Sequence, residues 1–215
     1  MMPLKKIIRP FPAAAILVAV FFAIWAGADD AELAPQAIIE NAATMMSEKL
    51  TGREDYYESH PEELYTMIDE VLLPHFDTRY SGRLVLGKHW KRVTEEQRSD
   101  FIDAFYQFLL QSYAKGLLEF DQAKITFLPF QGEIDGKRVV VKTQMQLDDG
   151  SDVPVNYSMR RSKSGWKVYD VRIEGVSYIQ NYRNQFNAEI SANGVGSVID
   201  RLRAEAAGKM KAAEL

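Results

Sequence analysis

The sequence predicts an α+β fold, a four-stranded antiparallel meander sheet packed against several helices. Three observations carry this prediction. Apolar residues recur at helical spacing through the first half, alternation broken by tight-turn signals takes over from residue 123, and helical spacing returns after Gly175. The last change is the sharpest. Tyr169, Val171 and Ile173 alternate with Asp170, Arg172 and Glu174, whereas Val176, Ile179, Tyr182, Arg183 and Phe186 fall at helical intervals. A strand therefore runs straight into a helix, and the pattern predicts that this helix folds back over the apolar face of the sheet.

The chain begins with an export signal. Lys5, Lys6 and Arg9 precede an apolar run from Phe11 to Trp25, and Ala26-Gly27-Ala28 supplies small residues for cleavage after Ala28. That run is shorter than the roughly 20 residues a spanning helix needs. Cleavage would leave 23 basic against 30 acidic residues, a formal charge of −7. Such an acidic, exported chain is a poor partner for nucleic acid or anionic headgroups. It contains no cysteine, which removes disulfides, thiolate metal sites, a cysteine nucleophile and a lipid-modified N-terminal cysteine. A bacterial periplasm fits these features. Residues 29–207 read as one domain and 208–215 as a frayed tail.

Within the domain, Pro35 opens a helix whose broad face holds Ile38, Ile39, Ala42, Met45 and Met46. Ser59, Pro61 and Glu62 predict a capping box before the stripe Leu64, Ile68, Val71 and Leu72, and Pro74 ends that helix. A short helix is expected over 76–86. Thr94 and Gln97 form a second capping box, followed by Phe101, Ile102, Phe105, Phe108, Leu109, Tyr113 and Leu117 on one face. Ile125 and Phe127 lead the first strand. Asp135-Gly136, Asp148-Asp149-Gly150 and Ser164-Gly165 mark the turns between four strands. Trp166 and Val168 are out of phase with Tyr169, Val171 and Ile173, which predicts a bulge or burial on both faces. Two helices, 176–192 and 195–207, close the chain around a break at Gly194-Val195-Gly196.

No set of residues assembles an acid, a base and a nucleophile. His60 and Glu63 have the spacing of a helical metal pair but no third ligand nearby, and the histidines His60, His75 and His89 read as surface or capping residues. Asp148, Asp149 and Asp152 lack the twelve-residue calcium loop and read as a solvated turn. The apolar inventory says more. Val141, Met145, Val155, Tyr157, Met159, Tyr169 and Val171 face inward from the sheet, and Phe101, Phe105, Leu109, Tyr113, Ile179 and Phe186 from the helices. Periodicity alone leaves open whether they fill a core or line an apolar cavity.

Three blocks carry a family resemblance. They are Arg83 to Trp90 with Thr94 to Arg98 and Phe101; Phe105 to Leu110 with Tyr113-Ala114; and Trp166 to Val171 with Gly175-Val176-Ser177, Asn181-Tyr182-Arg183 and Gln185-Phe186. In this order, after an export signal, the chain resembles the MlaC-type periplasmic phospholipid-binding proteins, also called toluene-tolerance proteins, of the maintenance-of-lipid-asymmetry pathway. His89 stands where an aromatic or other large residue is expected. The resemblance implies an apolar cavity between sheet and helices, and it makes the inward-facing residues above the wall of a phospholipid pocket. It implies no cofactor beyond the phospholipid cargo, no catalysis, and a monomer that shuttles lipid across the periplasm. The implied partners are an inner-membrane ABC transporter complex with an MCE-domain subunit and an outer-membrane lipoprotein–porin complex. Arg172 and Arg183 could touch a headgroup phosphate or equally pair with acidic neighbours. Two other readings stand beside the carrier. One is an exported isomerase- or dehydratase-like enzyme with Asp170 as its base; the other is a ligand-free adaptor with a filled core.

Overall fold

Alternating apolar residues and tight turns produce a continuous antiparallel sheet. Its strands are β1 (Ile125–Phe127), β2 (Arg138–Gln146), β3 (Asp152–Ser162), β4 (Gly165–Ile173) and β5 (Val176–Ser177), paired in that order. The structure is a computed structural model and describes residues 34–118, 124–130, 136–147 and 149–213. The expected export segment, Asp135 of the first turn and Asp148 of the second lie outside those residues. The meander has one strand more than expected. Glu174 (φ 52°) and Gly175 (φ 81°) both take left-handed backbone, the requirement of a two-residue hairpin turn that matches strand twist. The chain therefore reverses at once and adds β5 to the edge of β4 before turning helical.

Directly opposed residues share a face. The rows Val139–Met159–Val168 and Val141–Tyr157–Val171 are apolar, as is Val155–Ile173. Thr143 sits opposite Val155 on this face; its hydroxyl donates to the Val155 carbonyl at 2.7 Å, so burial leaves it satisfied. The expected bulge is present. Ser158 opposes Asp170 but Met159 opposes Val168, which makes Tyr169 the extra residue. That single insertion lets Trp166 and Val168 share the apolar face with Val171, and it sends Asp170 to the opposite, polar face.

The helices are α1 (Pro35–Leu50), α2 (Glu54–Ser59), α3 (Pro61–Leu72), α4 (Thr78–Leu86), α5 (Glu95–Tyr113) and α6 (Tyr178–Ala213), with short 3₁₀ turns after α3, α4 and α5. The capping box at the start of α5 forms as predicted: Thr94 accepts from the Gln97 amide at 3.2 Å and Gln97 returns the bond to Thr94 at 3.1 Å. The Ser59 box does not form. Ser59 instead ends α2 and its hydroxyl donates to the Asp55 and Tyr56 carbonyls, while His60 precedes α3 without a side-chain cap. Asp77 caps α4 by accepting the Tyr80 amide at 2.9 Å, and its own N–H donates to Val168 O at 2.8 Å, tying α4 to β4. The long helix α6 breaks at Gly194 (φ 83°, ψ 168°), as its glycine pair predicts, and its helical backbone continues to Ala213.

Three apolar clusters result. In the first, α4, α5 and α6 interlock through Phe101, Phe105, Tyr182, Phe186 and Leu202. Phe101 and Phe105 stack at 5.7 Å, and Tyr182 meets Phe105 edge-on at 5.0 Å. The second joins α1, α2, α3 and the end of α5. The third is the apolar face of the sheet covered by Ile38 and Ile39 of α1. The expectation for the closing helix is therefore overturned: α6 packs on α4 and α5, and α1 covers the apolar face.

Candidate functional site

The sheet face supplies the base of the site. Ile38 and Ile39 of α1 pack in one buried cluster with Val139, Val141, Met159, Trp166 and Val168. Further along, Phe127, Phe130, Tyr157 and Val171 are only half-buried. The margin of the second cluster has the same character in Leu72, Tyr106, Leu117 and Leu118. Helix α1 belongs to both clusters, giving Ile38 and Ile39 to one and Met46 and Leu50 to the other. Two apolar layers thus meet along α1 without merging into one core. Next to this seam, a recess of about 310 Å³ opens between the start of α1 and Phe130. Ala34, Pro35, Ala37 and Phe130 make it mostly apolar, and Gln36 donating to Glu40 at 2.8 Å adds a polar edge. Its volume is at the small end of the roughly 300–1,000 Å³ usual for ligand pockets.

Tyrosine hydroxyls are the main polar groups along these layers. Burial pushes the Tyr157 phenol up, with Thr143 as the hydrogen-bonding neighbour acting in the opposite sense. Burial and then the Asp69 carboxylate, which accepts its hydroxyl, raise Tyr106 further. Tyr113 is pushed up to about 12 by desolvation and by its 3.0 Å bond to the Tyr182 hydroxyl. Each stays a neutral phenol at ordinary pH.

The inward-facing residues predicted from periodicity are distributed over distinct places. Val141, Met159, Tyr157 and Val171 belong to the sheet cluster, and Met145 and Val155 share that face by register. Phe101, Phe105 and Phe186 are core residues of the three-helix cluster, with Leu109 and Ile179 packed against it. Tyr113 is 44% exposed, its ring 5.5 Å from Tyr178. Tyr169, displaced by the bulge, lines a cleft on the polar side with Tyr80, Asp170, Arg172 and Arg183. Sequence reasoning missed Pro35, Ala37 and Phe130. The Leu128-Pro129-Phe130 segment has no periodicity to assign it a face.

The histidines are accounted for locally. His89 is not on the surface as expected: it is 6% exposed and bonds Asn187 at 3.0 Å, so it is packing side chain and hydrogen-bond partner at once. His60 stacks on Tyr56, and Glu63 accepts the Tyr56 hydroxyl at 2.6 Å. Among the described residues no group of three or more His, Asp or Glu is placed to hold a metal, and no helix is long and apolar enough to cross a membrane.

The chain is similar to several known proteins. It is 28% identical over 183 residues to toluene tolerance protein ttg2D of Pseudomonas putida, covering 84% of this chain and 85% of that protein. It is 25% identical over 179 residues to the intermembrane phospholipid transport system binding protein MlaC of Haemophilus influenzae, covering 82% and 84%. The solved structure of a phospholipid-binding protein from Ralstonia solanacearum, in complex with a phospholipid at 1.53 Å, superposes with a TM-score of 0.74 at 27% identity, over 81% of this chain and 98% of the other. The sequence profile of the MlaC protein family matches residues 40–204. This chain belongs to the MlaC protein family.

Proposed function

We propose that this chain is a periplasmic phospholipid carrier whose acyl chains lie against the apolar face of the sheet. The fold it shares with the phospholipid complex from Ralstonia solanacearum carries this reading. The half-buried apolar side chains Phe127, Phe130, Tyr157 and Val171, beside the recess at the start of α1, support it, since apolar surface that is not fully packed can take up hydrocarbon.

Energetics demand a dry seam. Each methylene exposed to water costs about 0.8 kcal/mol, so two chains of about 15 methylenes would cost roughly 24 kcal/mol as an upper-end estimate. Free diffusion of a phospholipid through water is negligible on that scale, and the carrier must replace the bilayer itself. Val155, Tyr157, Val171 and Phe127 on the sheet side would supply the apolar wall, and Met145 a flexible one. The headgroup stays in water. Delivery would involve an inner-membrane ABC transporter complex with an MCE-domain subunit and an outer-membrane lipoprotein–porin complex, with the carrier a monomer exported after cleavage at Ala28.

The enzyme reading needs a carboxylate free to take a proton. Asp170, its candidate base, lies on the polar face with both carboxylate oxygens engaged by Ser177 and the Ile179 amide.

Organic-solvent extraction of natively purified protein, followed by phosphorus assay, tests the proposal. About one phospholipid per chain is expected. Protein that carries none, and takes up none from vesicles, contradicts it.

A further inference from the structure

The polar side of the sheet holds a larger depression than the recess beside α1. This cleft, about 650 Å³, lies between β4, β5, α4 and the start of α6. Its charged lining residues are Arg138, Arg172, Arg183 and Asp170, which sum to +2 in a chain of formal charge −4. Positive potential is thus concentrated in one concavity of an acidic protein.

The lone carboxylate offsets only one of the three arginines. Asp170 is 6% exposed, accepts the Ser177 hydroxyl at 2.8 Å and the Ile179 amide at 3.1 Å, and stands 3.5 Å from Arg172 Nε. Arg138 donates to the Tyr80 hydroxyl at 2.5 Å, a neutral acceptor. Arg183 has no hydrogen-bond acceptor or ion-pair partner among the described residues. It is nevertheless positioned. A Cβ at Gly87, whose φ is +52°, would fall 2.7 Å from Arg183 Nε, so glycine there lets the guanidinium lie against the backbone. A placed, unpaired guanidinium is ready for an anion, and its fork suits a carboxylate.

The rim adds a strand edge and an apolar contact. The two-residue β5 ends the sheet order, and Val176 on it is 57% exposed. An extended chain can hydrogen-bond along such an edge.

We propose that this cleft docks an acidic, extended segment of a partner protein, with Arg138, Arg172 and Arg183 pairing its carboxylates and Val176 meeting an apolar side chain. A bilayer surface is disfavoured because a planar headgroup layer does not reach into a recess and the chain is net negative. The site goes beyond the lipid reading and stands on a different face of the sheet.

The test uses the full mature chain and a fluorescein-labelled hexapeptide of alternating glutamate and valine, followed by fluorescence anisotropy. Saturable binding is expected, weakening as salt rises. Arg172→Gln and Arg183→Gln should each weaken it by about tenfold, the worth of one charge-assisted hydrogen bond. Val176→Glu, a change at an exposed position, should abolish it. Arg203→Gln, which removes only the distant pair with Asp100, should leave it unchanged. Circular dichroism and phospholipid content, both expected to stay at wild-type values, separate loss of this site from loss of folding or of lipid loading. Absence of saturable binding, equal affinity across the variants, or arginine-dependent binding confined to inorganic phosphate or phosphatidylglycerol vesicles overturns the proposal.

Discussion

Asp170 of β4 accepts the backbone N–H of Ile179 in α6 at 3.1 Å, which binds the start of the closing helix to the polar face of the sheet. Its second oxygen accepts the Ser177 hydroxyl at 2.8 Å, and Ser177 in turn caps α6 by accepting the Gln180 amide at 3.0 Å. One buried carboxylate therefore ties both Ser177 and the first turn of α6 to this side of the sheet.

Asp170→Ala removes two acceptors from a buried position and leaves the Ile179 amide unpaired. A cost of about 2–3 kcal/mol is expected, which for a domain of this size lowers Tm by roughly 5–10 °C. Thermal circular dichroism reads it. An unchanged Tm would show that the carboxylate does not anchor α6.

Glu189 and Arg201 brace the two arms of α6 across the Gly194 break. Arg201 donates to Glu189 at 2.8 Å and Ser197 does so at 2.9 Å. The Arg201 hydrogen bond holds the Glu189 carboxyl below its ordinary value of 4.5, against a smaller desolvation in the other direction. A depressed folded pKa contributes stability that is present above the unfolded value and lost as pH falls through the folded one. Glu189→Gln should therefore lower Tm at pH 7, and the gap to wild type should narrow as pH falls below about 4.5 and through the depressed folded value. A gap independent of pH contradicts this role.

Phe105 sits 5% exposed among Phe101, Tyr182 and Phe186, in the helical cluster and not on the sheet. Phe105→Ala should cost about 3–5 kcal/mol through the cavity it leaves. Phospholipid per folded molecule should stay at the wild-type level, because this cluster is distinct from the sheet face. Stability comes from chemical denaturation and lipid from extraction of the folded fraction. A selective loss of lipid would move the site toward α5.

Local signals in the sequence predicted local structure well. The Thr94–Gln97 box, the Gly194 break, the Pro74 stop and the bulge before Val171 all rest on residues adjacent in the chain. Alternation also identified the apolar face, since β-strand period 2 leaves little freedom. What did not follow was which helix meets that face. An apolar stripe on α1 and one on α6 look alike, and the choice depends on the Tyr169 bulge turning Asp170 outward and on the Glu174-Gly175 turn. Periodicity likewise did not show that Phe101, Phe105 and Phe186 share the three-helix cluster, and it gave Phe130 no face. His89 was read as a surface or capping residue because its partner, Asn187, is 98 residues away.

The most direct measurement is phospholipid phosphorus per folded protein in a matched pair of strand variants. Val171 lies on the apolar face beside Tyr157, whereas Val140 lies on the opposite face and is 42% exposed. With folding verified by circular dichroism, Val171→Asp should purify without phospholipid, because an unpaired carboxylate is costly against hydrocarbon, and Val140→Asp should retain its full load. A folded Val171→Asp protein carrying as much phospholipid as wild type would contradict the placement of the acyl chains on this face.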